Sequence, residues 1–338
     1  MSLKTIDCYT QVKNSNFKIL SNIISMNKKN DKNVLVIGSS NIDLIGQSKE
    51  KIVLNESNPA KISYCPGGVA RNIAENIAKL GNNCQLITAI GNDFFGNLIK
   101  NSCINSGIDI KNSIQDDKEP TSSYISIHNN DSEMFLSLNE TNIIDKITPQ
   151  FLESKKSLIL SANILVLDTN LSQESLNYIF ENYNKTIFVD TVSIFKAKKI
   201  LSNLDKIHTL KPNQAEALNL AGIKETKLSS IKKAAEIFYR KGVKRSLITL
   251  GKKGAFSFEN NNSEFFSQNL NFSVNVTGAG DALMAGLVHS YLKGWDWKYS
   301  VKFSLGAASL ATYSLETVNK NLNERNILEV LDKTNDNG

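Results

Sequence analysis

Short apolar runs alternate with amphipathic segments from residue 33 onward. The first run, Val34–Ile37, has the length of a buried strand and ends at Gly38. The segment Val69–Leu80 repeats apolar residues with a helical period and stops at Gly81, which predicts an amphipathic helix. Further strands are predicted at Gln85–Ile90, near Ile108, and at Ile164–Leu167, Ile187–Val189, Ile207–Leu210 and Leu247–Leu250, with a further helix at Asp93–Asn105. This alternation predicts a mostly parallel sheet with helices on both faces.

Two stretches interrupt this alternation early in the chain. Ile42–Tyr64 alternates polar and apolar residues without a helical pattern, and Ser122–Leu138 predicts a hairpin that turns at Asn129–Asp131. We expect them to pair into one small sheet, spanning residues 42–65 and 118–140, that covers a site beside the main sheet. Residues 1–30 are polar, and we expect an extension with a short helix at Asn16–Met26, followed by one domain over residues 31–338.

Composition narrows the class of protein. The chain has 338 residues, of which 41% are hydrophobic, and this is enough for a large buried core. No apolar run approaches the ~18–20 residues of a membrane span, and the polar N-terminus lacks the apolar centre of a signal peptide. The four cysteines form no CxxC pair, so neither a disulfide framework nor a thiolate zinc site is indicated. We therefore expect a cytoplasmic protein with no membrane partner.

The charged residues indicate a small-molecule partner rather than a nucleic acid. Lysine and arginine number 39 against 33 aspartates and glutamates, a formal net charge of +6. Only Arg71, Arg240, Arg245 and Arg325 are arginines, and no basic block stands out. Because base readout depends strongly on arginine, we expect no nucleic-acid partner. The mild positive charge suits an anionic small molecule.

The strongest chemical motif is the glycine-rich segment from Asn275 to Asp281, which a helical pattern follows. Gly278, Ala279 and Gly280 lie at a predicted strand-to-helix junction, where small residues let backbone N–H groups converge on an anion. Asp281 comes next, in the first helical turn, beside the expected anion. Alternatively, Asp281 caps the helix and the glycines only form a tight turn.

Two polar clusters could hold hydroxyl groups. Gly67 and Gly68 precede the first predicted helix, and Asn72 follows one turn into it. Asn41 and Asp43 are two residues apart in extended chain, so both face one side and can bind vicinal hydroxyls, as in ribose. The alternatives are a flexible glycine loop with a surface amide, and an Asx turn.

A fourth motif, Lys211–Glu216, begins another predicted helix at Pro212. Asn213 and Glu216 are three residues apart on one helical face, where an amide and a carboxylate could hold the water shell of Mg²⁺. The alternative is a capping box, in which Glu216 reaches back to the helix start. The chain has no GxxxxGK[ST] loop, so it is not a P-loop enzyme.

Together these motifs resemble the ribokinase-like (PfkB) family of carbohydrate and nucleoside kinases. One family motif runs from Gly67 through Asn72, Ala74 and Gly81 to Gly91, and the other from Asn275 to Val288. The resemblance covers the chain from Asn33 to the C-terminus. It implies a three-layer α/β/α sandwich with a mostly parallel central sheet, a small β-sheet lid, and ATP with Mg²⁺ as cofactors.

Within the family the chain is most similar to the pseudouridine kinase branch. The shared segments are Ser57–Ile62, Gly67–Ala74, Thr121–Tyr124, Val189–Ser193, Ile207–Asn213 and Asn275–Asp281. This resemblance implies phosphorylation of the 5′-hydroxyl of pseudouridine. The alternatives are a kinase of a free sugar such as ribose or fructose, or of another nucleoside, and a non-catalytic ligand-binding regulator on the same fold. The intact motif from Gly278 to Asp281 argues against the regulator.

The resemblance also implies roles for individual residues. Asp281 would be the general base, and the amides of Gly278, Ala279 and Gly280 would stabilise the transferring phosphoryl group. The expected acceptor-binding residues are Asn41, Asp43, Gly67, Gly68, Asn72 and, as a weaker candidate, Asp168. The expected ATP-binding residues are Asn213, Glu216, Thr249, Gly251, Gly254 and Ala308, with Glu216 holding Mg²⁺ through water.

Two further expectations follow from the family. Many members have an aspartate where this chain has Asn275, and that aspartate helps to bind a potassium ion near the anion site. The asparagine removes one negative charge from such a monovalent-cation site. In many relatives the lid also forms a dimer, so we expect a homodimer through the small sheet.

Overall fold

A large β-sheet lies at the centre of the fold. The computed structural model describes residues 32–131, 133–267, 277–314 and 316–335. Its strands are β1 (Asn33–Ile37), β2 (Asn41–Ser48), β3 (Ala60–Gly67), β4 (Asn83–Ile87), β5 (Ala89–Gly91), β6 (Ile114–Asp116), β7 (Ser123–His128), β8 (Met134–Glu140), β9 (Ile164–Asp168), β10 (Thr186–Asp190), β11 (Thr209–Lys211), β12 (Arg245–Thr249), β13 (Ala255–Glu259) and β14 (Asn262–Phe266). In the described residues the main sheet has eight strands in the order β14-β13-β12-β11-β10-β9-β1-β4.

The strands from β12 to β4 in that order pair in parallel, whereas β13 is antiparallel to both of its neighbours, β12 and β14. Within β1, Val34 and Val36 pack into one hydrophobic cluster, and Leu35 and Ile37 pack into a second. Side chains of a strand point alternately to the two faces, so the sheet is buried on both sides. This explains why β1 is apolar at every position after the first.

Helices cover both faces of the sheet. They are α1 (Val69–Lys79), α2 (Phe94–Asn105), α3 (Pro149–Ser154), α4 (Lys156–Ser161), α5 (Gln173–Asn182), α6 (Ile194–Ala197), α7 (Gln214–Leu220), α8 (Leu228–Arg240), α9 (Ala279–Lys293), α10 (Trp297–Ala311) and α11 (Glu324–Asn335). The cluster of Val34 also contains Ile73 of α1 and Phe303 of α10, and the cluster of Leu35 contains Phe238 of α8. The expected three-layer α/β/α fold is therefore confirmed. None of the helices in the described ranges has the length and apolar character needed to cross a membrane.

The two early stretches pair into one small sheet, as predicted. Its order is β3-β2-β7-β8. Strand β2 is antiparallel to β3 but parallel to β7, and β7 and β8 form the predicted hairpin. The main chain crosses from β1 into β2 within a few residues, so the small sheet begins at the carboxyl end of β1.

Two local predictions are wrong, and one element was missed. The predicted strand Gln85–Ile90 is two strands, because β4 joins the main sheet and β5 pairs with β6. No strand forms near Ile108, where the chain makes only an isolated bridge between Gln85 and Asp109. The antiparallel hairpin of β13 and β14 was not predicted at all. The predicted extension over residues 1–30, its helix Asn16–Met26 and the strand before Gly278 lie outside the described residues.

Candidate active site

Charged residues end three adjacent strands of the main sheet. Asp168, Asp190 and Lys211 are the last residues of β9, β10 and β11, and the strand register pairs Asp190 with each of the other two. The helices α1 and α9 begin near the same end, because Asn72 of α1 and Asp281 of α9 are hydrogen-bonded. The carboxyl ends of parallel strands, together with helix N-termini, are where open α/β folds bind ligands.

The glycine motif forms the start of α9. Gly278 is the N-cap, with φ of 82°, and a Cβ at this position would lie 1.8 Å from the Thr317 carbonyl oxygen. Only glycine fits such a backbone and so close a neighbour. Ala279 and Gly280 are the first helical residues, so their N–H groups lack partners within the helix. The first turn of α9 therefore has the backbone N–H groups and the positive end of the helix dipole that could bind the predicted anion.

Asp281 lies in that first turn and is buried. Its Oδ2 accepts a hydrogen bond from Asn72 Nδ2 at 2.9 Å, and no side chain in the described residues caps α9. Burial, with a smaller contribution from the Asp190 carboxylate, raises the pKa of Asp281 to about 7, although Asn72 and Lys211 oppose the rise. A carboxyl group with a pKa near neutrality is suited to take a proton. The geometry thus favours the base over the helix cap.

The predicted hydroxyl-binding pair forms on β2. Asn41 Nδ2 donates to Asp43 Oδ1 at 2.6 Å, so the two side chains lie together on one side of the strand. Gly67 faces them from β3, where a Cβ would lie 2.2 Å from Asp43 Oδ2, so only glycine leaves room for this carboxylate. Burial raises the pKa of Asp43, against the opposing effects of Asn41 and Arg71. Gly68 follows as the N-cap of α1, which carries Asn72.

Asp168 has a different position from the one expected. It is fully buried, and its Oδ2 accepts hydrogen bonds from the Ser39 amide at 2.9 Å, the Ser39 hydroxyl at 3.0 Å and the Ala70 amide at 3.0 Å. Its Oδ1 accepts from the Asn170 amide at 2.9 Å. These bonds fix the loop after β1 and the first turn of α1. Asp168 therefore stabilises the loop after β1 and the start of α1 from within, and its hydrogen bonds do not favour a contact with a ligand.

The ion pair of Lys211 and Asp190 was not predicted. Lys211 Nζ lies 2.8 Å from Asp190 Oδ2, both side chains are buried, and the Lys211 ammonium lies 3.1 Å from where a Cβ of Gly280 would be. Burial lowers the pKa of Lys211, but the carboxylates of Asp190, Asp281 and Glu216 together more than reverse this, so the net pKa is raised and the lysine is charged. A fixed cation thus stands against the anion site. Its place at the end of a parallel strand was the available signal in the sequence.

The loop after Asp190 is strained. Val192 has φ of 57°, which a β-branched residue rarely adopts, and its amide donates to Asp190 Oδ1 at 2.9 Å. The adjacent Thr191 hydroxyl donates to Glu216 Oε2 at 2.6 Å. Backbone strain of this kind persists only where the surroundings determine the conformation, and it concentrates at functional sites. This loop connects the ion pair with the start of α7.

Asn213 and Glu216 form a complete capping box at the start of α7. Asn213 Oδ1 accepts from the Glu216 amide at 2.9 Å, and Glu216 Oε2 accepts from the Asn213 amide at 2.8 Å. Glu216 Oε1 accepts from Asn213 Nδ2 at 2.7 Å. With the Thr191 bond, three of the roughly four acceptor positions of this carboxylate are occupied. The remaining position fits a contact to Mg²⁺ through water, since Mg²⁺ keeps several of its waters.

The other residues predicted to bind ATP lie in two parts of the structure. Thr249 ends β12, and its amide donates to the Pro212 carbonyl at 3.0 Å, beside Asn213. Gly251 and Gly254 follow in the turn between β12 and β13. Ala308 lies on α10 and packs in the cluster of Val34. Asn275 lies outside the described residues, and within them no group of three His, Cys, Asp or Glu side chains could hold a metal ion.

Comparison with known proteins agrees with this arrangement. The family model of the pfkB family carbohydrate kinase matches residues 31–324. The pseudouridine kinase of Escherichia coli (strain K12) is 38% identical over 301 residues, which cover 88% of this chain and 96% of that protein. The solved structure of a candidate sugar kinase from Clostridium perfringens superposes with a TM-score of 0.79 at 29% identity, over 89% of this chain and 96% of that one.

A more distant solved structure shows the same fold. A candidate ribokinase II from E. coli, in complex with ATP and Mg²⁺, has a TM-score of 0.78 at 16% identity, over 89% of this chain and 99% of that one. The family match covers both glycine motifs and every strand of the main sheet. The chain therefore belongs to the pfkB family of carbohydrate kinases, which are phosphotransferases that act on an alcohol.

Proposed function

We propose that this enzyme transfers the γ-phosphoryl group of ATP to the 5′-hydroxyl of pseudouridine. The observation that carries the proposal is the hydrogen bond between Asn72 and Asp281. It brings the acceptor-binding start of α1 to the carboxylate at the start of α9, beside the glycine anion site. The identity to a bacterial pseudouridine kinase over nearly the whole chain supports this acceptor over others.

In the proposed reaction each residue has a separate task. Asn41 and Asp43 hold the ribose hydroxyls, and Asn72 orients the acceptor next to Asp281, which takes the proton of the 5′-hydroxyl. The amides at Gly278–Gly280 and the Lys211 ammonium stabilise the charge on the transferring phosphoryl group. The small sheet covers the site and excludes water, which would otherwise accept the phosphoryl group.

ATP is proposed to bind along the carboxyl ends of β11 and β12, where Thr249, Gly251 and Gly254 lie near Asn213. Mg²⁺ would be held by the ATP phosphates and, through water, by Glu216, and it neutralises phosphate charge when bound. Ala308 and its neighbours on α10 are proposed to frame the adenine. A monovalent cation near Asn275 stays a prediction.

The proposed contact of Glu216 with Mg²⁺ can be tested separately from its capping role. Glu216→Gln should raise the Mg²⁺ concentration required for half-maximal rate several-fold, since a neutral amide attracts hydrated Mg²⁺ less strongly, and leave the KM for the acceptor nearly unchanged. The measurement is a Mg²⁺ titration of the initial rate at saturating ATP. Thr148→Ala, which removes the N-cap oxygen of α3, serves as the capping control. A normal Mg²⁺ dependence of Glu216→Gln would leave capping as the whole role of this residue.

The acceptor is tested with a panel of compounds. We expect a higher kcat/KM for pseudouridine than for uridine, adenosine, ribose or fructose, measured as ADP release with ATP and Mg²⁺. Asn41 and Asp43 can hold the diol of free ribose as well as that of a nucleoside, so ribose is the strictest competitor. Equal turnover of ribose would replace the proposed function with that of a sugar kinase.

The small sheet is also proposed to form a homodimer. The register places Tyr64, Ile125 and Leu138 in one cross-strand row, and Ile62 and Leu136 in the next. All five side chains are exposed, although apolar patches of this kind are usually covered. We expect sedimentation to give twice the monomer mass. Ile62→Lys with Leu136→Lys should give the monomer, and a wild-type monomer at micromolar concentration would contradict the dimer.

A further inference from the structure

A buried arginine lies behind the proposed acceptor site. Arg71 precedes Asn72 on α1 and is buried. Its Nη1 donates to Asn72 Oδ1 at 2.8 Å and to the Pro66 carbonyl at 2.9 Å, and its Nη2 donates to Ser102 Oγ at 2.8 Å. Nη2 also forms an ion pair with Glu75, one turn along the helix. Both Nη groups of the guanidinium are therefore held, by Asn72 and Pro66 on one and by Ser102 and Glu75 on the other.

These contacts determine which way the Asn72 carboxamide points. A guanidinium can only donate, so the atom of Asn72 that faces Arg71 must be the oxygen. The nitrogen then faces Asp281, whose ionised carboxylate can only accept. With Arg71 absent, the carboxamide could turn about and present its oxygen to Asp281, and that contact would be repulsive. Arg71 thus donates both to Glu75 and to Asn72, and Asn72 in turn donates to Asp281.

We propose that Arg71 is a positioning residue, whose guanidinium holds the Asn72 carboxamide in the orientation that donates a hydrogen bond to Asp281. The proposal deepens the proposed function and rests on it for its catalytic meaning, because Asp281 must be ionised to act as the base. The geometry itself does not depend on the identity of the acceptor.

Four groups face Asp281 and influence its charge. Asn72 of α1 donates a hydrogen bond to it, and the Lys211 ammonium of β11 stabilises its ionised form. The carboxylates of Asp190 on β10 and Asp168 on β9 destabilise that form. Asn72 is thus one of two groups that favour the ionised carboxylate. A hydrogen bond to a charged group contributes enough to move a titration midpoint by about one pH unit. Loss of the Asn72 donation should therefore raise the pKa of Asp281.

The test follows the Asp281 carboxyl directly by carbon-13 NMR, with the resonance identified by its absence in Asp281→Asn. Arg71→Met is combined with Glu75→Met so that no buried charge is left without its partner. We expect this double variant to raise the midpoint of Asp281 by about one pH unit. Asn72→Ala should give a similar rise. Ser102→Ala, which removes only a contact on the far side of Arg71, is the matched control and should leave the midpoint unchanged.

The decisive arm adds the Arg71→Met and Glu75→Met pair to Asn72→Ala. If Arg71 acts through Asn72, the pair produces no further shift in that background. The same shift in both backgrounds, or no shift in either, would overturn the proposal. Turnover by the wild-type enzyme is measured separately with the acceptor panel. Absence of turnover would refute the proposed function, whereas the titration would still decide the role of Arg71.

Discussion

Replacing Asp281 with asparagine should lower kcat by about 10²–10⁴-fold, the usual contribution of a positioned general base. Asparagine has the same size and can still accept the hydrogen bond from Asn72, but it cannot take the proton of the acceptor hydroxyl. We expect ATP binding to be unchanged, as measured by calorimetry. If the variant kept more than about a tenth of the wild-type kcat, Asp281 would not be the base.

The stability of the same variant gives an independent check. The pKa of Asp281 is raised to about 7 in the folded protein. A carboxyl whose folded pKa lies above its unfolded value near 4 contributes less stability as pH rises from about 4 to about 7, and this loss persists above 7. Asp281→Asn should therefore raise Tm at pH 8. A helix-capping aspartate would predict an unchanged or lower Tm.

The pH dependence of the wild-type enzyme follows from the same group. The ionised form of Asp281 is the active one, so kcat/KM for the acceptor should fall below a pH of about 7, close to tenfold for each further unit. A plateau that continues down to pH 5 would contradict an essential carboxylate with this pKa.

The second large effect is expected at Lys211. Neutralising it should lower kcat by about 10²–10³-fold, the usual result of losing one donor to a developing negative charge. Its ammonium lies against Gly280 at the anion site, so the effect should appear in kcat more than in the KM for pseudouridine. Lys211→Met alone leaves the buried Asp190 carboxylate without its partner and could unfold the protein. Lys211→Met is therefore combined with Asp190→Asn, which retains the acceptor for the Val192 amide.

A matched lysine separates catalysis from stability. Lys199 is half-buried and donates to the backbone carbonyls of Thr169 and Leu171, in the loop after β9. Lys199→Met should lower Tm and keep kcat within about threefold. If the Lys211 and Asp190 pair behaved in the same way as Lys199, with loss of Tm and retention of kcat, Lys211 would be structural. Both variants are compared by thermal denaturation and by initial rate at saturating ATP.

The sequence predicted the layers of the fold well because each layer has a strong local pattern. Strand β1 is apolar on both faces, and α1 ends at Lys79, two residues before Gly81, so neither depends on distant residues for its identification. The strand Gln85–Ile90 was predicted as one piece because only Thr88 interrupts its apolar run. The chain nevertheless leaves the main sheet after Ile87, and only its pairing with β6 shows this. Pairing between distant segments has no local signal.

In the candidate site too, local patterns were readable from the sequence, whereas contacts between distant segments were not. The glycine motif, Asp281, Asn72 and the Asn41–Asp43 pair were predicted from residue type and spacing, and the structure places Asn72 beside Asp281 and Asn41 beside Asp43. Asp168 looked like a ligand because it ends a strand, but its oxygens are taken by amides from two other loops. The Lys211–Asp190 pair was missed because its members lie on different strands. Their neighbourhood depends on strand order, which the alternation of elements does not specify.

In the proposed reaction the phosphoryl group is attached to the 5′-oxygen of pseudouridine. This position is measured by incubating the wild-type enzyme with pseudouridine, ATP and Mg²⁺ and examining the product by proton–phosphorus NMR correlation. We expect one product, in which the phosphorus couples to the two protons of the 5′-methylene group, and its formation should fall by at least about 10²-fold in Asp281→Asn. A phosphorus that couples to a ring proton of the ribose, or no phosphorylated pseudouridine at all, would contradict it.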